Sequence, residues 1–156
     1  MNKLPLDPGA STPATLVVRR QIKATPERLF AAWTQPELLM RWWGPEGVAC
    51  PAAEIDLRVG GSYRIANRFP DGNILWIAGR FEEIDAPHRL VYSWQLESRE
   101  GPAERVTVCF VAHGELTEVV VTHERIPDEA ARNGHERGWS GCLQGLVQFM
   151  QADARQ

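Results

Sequence analysis

The stretch Asn133-Gly-His-Glu-Arg-Gly-Trp-Ser-Gly-Cys-Leu-Gln-Gly-Leu-Val-Gln-Phe-Met-Gln-Ala152 decides how the rest of the chain is read. At about 100° per residue, Trp139, Cys142, Leu143, Leu146, Phe149 and Met150 fall on one third of a helical wheel, with Ser140, Gln144, Gln148 and Gln151 opposite. This spacing predicts one amphipathic helix of roughly 18 residues, about 27 Å long. Alone it cannot bury its stripe; it needs a curved wall, which only the middle of the chain can supply. Gly138, Gly141 and Gly145 fall together beside the stripe. Each costs about 1 kcal/mol relative to Ala in a helix interior. The strip therefore predicts a close approach, first by the helical segment 33–43, otherwise by a cavity ligand or a second subunit.

Upstream, the pattern has period two. Strands are expected at 16–22, 50–57, 61–69, 74–85, 89–97, 104–113 and 117–125, separated by turn chemistry such as Gly60-Gly61 and Pro70-Asp71-Gly72-Asn73. Alternation puts Leu90, Tyr92, Trp94 and Leu96, Val106, Val108 and Phe110, and Val119, Val121 and His123 on one face, with Ser93, Gln95, Thr107 and Thr122 opposite. Thr25-Pro26-Glu27 opens a short helix ending near Thr34, and a second runs from Pro36 to about Arg41 before Trp42-Trp43-Gly44-Pro45 stops it. The fold class is α+β: a curved antiparallel sheet of about six to seven strands around a long C-terminal helix, with two short helices after the first strand. Residues 1–14 are expected to be a flexible tail and 15–153 a single domain.

Composition narrows the function. With 17 basic and 20 acidic residues interspersed and a net charge of -3, there is no electrostatic footprint for nucleic acid or an anionic membrane. No signal pattern and no run of about 18 apolar residues is present, so a soluble, cytoplasmic protein is expected. Cys50, Cys109 and Cys142 are odd in number and far apart, which fits reduced thiols and neither a disulfide framework nor CxxC spacing.

In order along the chain, Ala24-Thr-Pro-Glu-Arg-Leu-Phe30, Trp42-Trp-Gly-Pro45, Asp56-Leu-Arg-Val-Gly-Gly-Ser-Tyr63, Pro87-His-Arg-Leu-Val-Tyr-Ser-Trp94, Thr122-His-Glu124 and Gly138-Trp139 resemble the proteins similar to the C-terminal domain of the activator of Hsp90 ATPase. These belong to the helix-grip (Bet v 1-like, START-related) superfamily. The resemblance implies a cavity between sheet and helix and brings no catalytic residue set or cofactor. About 15 residues precede the first strand, too few for the Hsp90-binding N-terminal domain of the eukaryotic activator, so an Hsp90-type chaperone is not the first partner expected.

Residues able to carry chemistry are few. His113, His123 and His135 could in principle converge, but they show no HxH or HxxxH spacing and no clustered carboxylate, so no metal site is expected. His123 shares a face with Val119 and Val121, which makes it either a hydrogen-bonded core histidine or a ligand-orienting acid/base group. Without a charge partner, desolvation would hold it neutral. Asp56 and Arg58 should pair across an extended segment. Ser62, Ser93 and Ser140 lack a nucleophile-elbow setting, and Cys142 lacks a positive neighbour that would activate it. Six tryptophans, among them Trp33, Trp42, Trp43, Trp76 and Trp94, can serve as core or line a chamber.

The reading that follows is a monomeric or homodimeric protein binding a small hydrophobic or aromatic molecule. The expected lining is Trp76, Tyr92, Trp94, Val108, Phe110, Val121, His123, Trp139, Cys142, Leu143, Leu146 and Met150. The alternatives are an enzyme of the polyketide cyclase or dehydratase kind, using His123, Tyr92 and Glu124, and a stress-related interaction module.

Overall fold

In the computed structural model, residues 13–154 are described; nearly all of the expected N-terminal tail lies outside them. The elements are β1 (Ala14–Ile22), α1 (Pro26–Thr34), α2 (Pro36–Trp42), β2 (Ala53–Ile55), β3 (Ser62–Arg68), β4 (Ile74–Asp85), β5 (Arg89–Leu96), β6 (Glu104–His113), β7 (Leu116–Ile126) and α3 (Glu129–Ala154). The seven strands form one antiparallel sheet in the order β1-β7-β6-β5-β4-β3-β2. The run from β2 to β7 is a meander, and β1 closes against its last strand. Among the described residues no helix is long and apolar enough to cross a membrane.

Local chemistry sets the boundaries. Thr25 caps α1, its Oγ1 accepting from the Arg28 amide at 3.2 Å ahead of Pro26. The closing helix starts four residues earlier than its apolar pattern predicts, because Asp128 is its cap: the carboxylate accepts from the Ala131 amide at 2.8 Å, with Glu129 in the first turn. The expected strand 50–57 shrinks to three residues. Past it the chain turns through Asp56–Arg58, an ion pair of 2.9 Å as the sequence predicts, and Gly60, whose φ of 84° suits glycine.

The sheet bends where β4 shifts register between Phe81 and Glu83. Close by, a Cβ on Gly79 would run into the Ser93 carbonyl, so the approach of β4 to β5 requires a glycine. The concave face buries Leu90, Tyr92, Trp94, Val106, Val108, Phe110, Val119, Val121 and His123, as alternation predicts. Against it lies α3, with Trp139, Cys142, Leu143, Leu146 and Met150 buried. The expected glycine contact is intramolecular at two positions. A Cβ on Gly141 would meet Pro45, and one on Gly145 would lie 2.5 Å from the Trp42 carbonyl oxygen.

Trp76 is corrected. One residue out of phase with Leu75 and Ile77, it stands on the outer face of β4, where the Arg64 guanidinium lies 4.0 Å from its ring centroid.

Candidate functional site

The centre of the grip is filled rather than hollow. From α1 and α2, Phe30, Trp33 and Trp42 enter between sheet and helix: Trp33 lies 4.9 Å from Trp42, 6.0 Å from Phe110 and 6.0 Å from Trp139, stacked on the last. The expected lining residues Val108, Phe110, Val121, Leu143, Leu146 and Met150 therefore pack as solid core. Tyr92 is also enclosed, beside Tyr63 and Phe81, its hydroxyl accepting from Trp33 Nε1 at 3.3 Å. Burial pushes that hydroxyl far above its ordinary range, so Tyr92 stays un-ionised at neutral pH. Glu124 is half-exposed and out of phase with His123 on β7. It does not join the acid/base group expected of it.

The open space lies to one side, where the N-terminal half of α3 stands off β3 to β5. It is a chamber of about 330 Å³ with Trp43, Trp94 and Trp139 as walls, Leu75, Ile77 and Leu96 from the sheet, and His135, Arg137, Gly138 and Cys142 from the helix. Of the residues expected from the sequence, Trp94, Trp139 and Cys142 line it. Trp43 is pinned by its indole N–H, which donates to Asn67 Oδ1 at 3.0 Å; the Asn67 amide in turn donates to the carbonyls of Ile65 and Leu75. Trp139 donates inward, away from the chamber. The Cys142 thiol is pushed up to about 12 by burial, which removes it as a nucleophile.

Behind Trp94 and Trp139 is a polar cluster in an otherwise apolar wall. Glu104 opens β6 on the inward phase, and its Oε1 lies 2.8 Å from His123 Nε2 and 2.9 Å from His135 Nε2. The two imidazoles stack at 4.3 Å with 15° between their planes, and Trp94 meets both edge-on. Trp139 Nε1 is 3.0 Å from His123 Nδ1. An indole N–H can only donate, so His123 Nδ1 is the acceptor and the imidazole proton sits on Nε2, donating to Glu104. Protonating His123 would set an N–H against the indole N–H. Burial holds its pKa below the ordinary value, with Glu104 opposing and the neighbouring His135 adding to the depression. Burial would raise the Glu104 carboxyl, but the two imidazole N–H bonds outweigh it and hold the group at about 2.

His113 is exposed at the far end of β6 and takes no part. His123, His135 and the carboxylate the sequence reading did not supply do converge, with donor atoms within 4.8 Å. As a metal ligand through Nε2, His123 would carry its proton on Nδ1, facing the Trp139 donor. The distances fit a hydrogen-bonded cluster centred on the Glu104 carboxylate. Sequence reasoning could have found it: Glu104 has the parity of Val106 and Val108 on β6, and His135 lies four residues before Trp139 on the buried side of α3.

A curved antiparallel sheet closed by a long C-terminal helix, with two short helices plugging its centre, defines a helix-grip protein. Residues 23–151 match the activator of Hsp90 ATPase homolog 1-like proteins, and the chain belongs to that family. It is similar to such a protein from Silicibacter pomeroyi, at 25% identity and a TM-score of 0.81 over 90% of this chain and 99% of that one. A Chromobacterium violaceum protein aligns at 27% identity and 0.79, over 86% and 94%. An Hsp90 activator from Plasmodium falciparum aligns at 27% and 0.71, over 88% and 96%. No curated protein matches the sequence significantly.

Proposed function

We propose that this protein binds a small, mainly apolar or aromatic molecule in the chamber beside α3. The supporting observation is the chamber itself: about 330 Å³ walled by three tryptophans and the aliphatic side chains of Val48, Leu75, Ile77 and Leu96, the size and character of a small-ligand site. Arg137 is exposed, lines the same space and makes no ion pair among the described residues, so an anionic substituent on the ligand has a partner at the mouth. The test is titration with 1-naphthoate, followed by tryptophan fluorescence. Saturable quenching in the wild type that disappears in Gly138→Leu supports the reading; quenching identical in both overturns it.

The likeness to the Plasmodium activator supports a second reading, association with an Hsp90-type chaperone. Stimulation of the ATPase of Hsp90 by the purified protein would favour it, and an unchanged rate at saturating concentration would remove it.

A further inference from the structure

We propose that Glu104 and His135 form a proton-transfer pair in the wall of the chamber, acting on a small apolar carbonyl compound with an acidic C–H beside its carbonyl group. This rests on the chamber being a binding site and adds a reaction to it.

The geometry gives the two histidines different roles. His123 is fully buried, and both its nitrogens are committed, one to Trp139 and the other to Glu104. Its tautomer is fixed and it has no vacancy for a proton. His135 is tied at one nitrogen only: Nε2 donates to Glu104, while Nδ1 has no hydrogen-bond partner among the described residues, and the residue lines the chamber. A carboxylate that fixes one imidazole nitrogen orients the ring and leaves the other nitrogen as a base. His123 and Trp139 then serve as backing. They supply Glu104 with a second N–H bond without adding a positive charge, so the carboxylate stays available to the charge His135 acquires.

A buried carboxylate bridged by two imidazoles is an expensive way to fill a core that apolar side chains could fill as well. The surrounding chamber suits the reaction. The tryptophan walls make the surroundings mainly apolar, which strengthens interactions with a developing charge, and Arg137 is a cation facing the same space. The step balances without a cofactor. His135 Nδ1 takes the proton, the C–H electron pair moves into the carbon–carbon bond, and the carbonyl oxygen carries the negative charge opposite Arg137. Once His135 has exchanged the proton it took with solvent, delivery to the same carbon gives hydrogen exchange, and delivery to a conjugated carbon gives an isomer; nothing is oxidised or reduced.

The test uses 2-indanone, a flat ketone with acidic α-hydrogens, and follows loss of its α-C–H signal by NMR in deuterium oxide, with binding measured in parallel by tryptophan quenching. Wild type should accelerate exchange above the buffer rate. His135→Gln should bind 2-indanone normally and lose roughly 100-fold or more of the acceleration. Glu104→Gln should bind, exchange more slowly and show a displaced pH profile, which a merely structural carboxylate would not produce. Variants of the exposed His88 and His113 should match the wild type. If Glu104→Gln does not fold, His135→Gln decides alone. Bound 2-indanone exchanging at the buffer rate, or His135→Gln exchanging as fast as wild type, overturns the pair while leaving the chamber reading intact. Failure of 2-indanone and 1-naphthoate alike to bind overturns both.

Discussion

Gly138→Leu separates the chamber from the scaffold in one substitution. Gly138 lies inside α3, and a Cβ built on it meets nothing within 4 Å, because the space beside it is the chamber. Replacing glycine by a strong helix former gains about 1 kcal/mol of helix propensity. The leucine side chain would also lie against the tryptophan walls and bury apolar area at about 25 cal/mol per Å². The expected sum is a gain of 1 to 2 kcal/mol, about 2–8 °C in melting temperature for a chain of this size. The same leucine occupies the space a ligand would need. The assay is paired: thermal unfolding without ligand, and 1-naphthoate titration of the same preparation. The expected result is a more stable protein that no longer binds. A variant with a lower melting temperature would show that the chamber is not open beside Gly138, and one that binds as tightly as wild type would show that binding occurs elsewhere.

Three further outcomes follow from the same geometry. Gly141→Ala gains the same propensity but drives its Cβ to 2.6 Å from Pro45 Cβ and 2.7 Å from Pro45 Cα, so overpacking of about 1–3 kcal/mol should leave it less stable than wild type; a raised melting temperature would contradict the contact. Stability should fall on acidification. The carboxyl of Glu104 is held at about 2 against an ordinary 4.5, and His123 lies below its ordinary 6.5, so in both cases the unfolded chain binds more protons. The His123 contribution is lost as pH drops below about 6.5 and that of Glu104 between about 4.5 and 2. A melting temperature that rises between pH 7 and pH 5 would refute this. Zinc at a modest excess should leave the melting temperature unchanged, since Trp139 commits His123 Nδ1 as an acceptor; stabilisation lost in His135→Gln would instead identify a metal centre.

The fold was legible because periodicity and burial agree. The stripe Trp139-Cys142-Leu143-Leu146-Met150 and the three inward sets of β5, β6 and β7 are buried as their spacing predicts. Where the reading failed, the missing information was long-range. Period two places Trp76 on one of two faces but does not say which; the burial of Ile77 and the Arg64 guanidinium over the Trp76 ring decide it. Inward orientation in the sequence suggests cavity lining, whereas α1 and α2 fill the centre with Trp33 and Trp42 and displace the open space toward β3 and β5. No local pattern shows that two helices will plug a sheet most of whose strands come after them in the chain. Glu104 was missed for a different reason. It begins a strand, where a charged residue ordinarily faces solvent, and its partners His123 and His135 come from separate elements 19 and 31 residues away.

Whether the space between Trp43, Trp94 and Trp139 holds a ligand is read from the indole N–H signals of ¹⁵N-labelled protein during addition of 1-naphthoate. Six tryptophans provide six reporters: three in the chamber wall, Trp33 and Trp42 in the filled centre, and Trp76 on the outer face. A ligand in the chamber should give saturable shifts concentrated at Trp43, Trp94 and Trp139, with Trp76 unmoved. Shifts confined to Trp76, or spread evenly over all six, would contradict it.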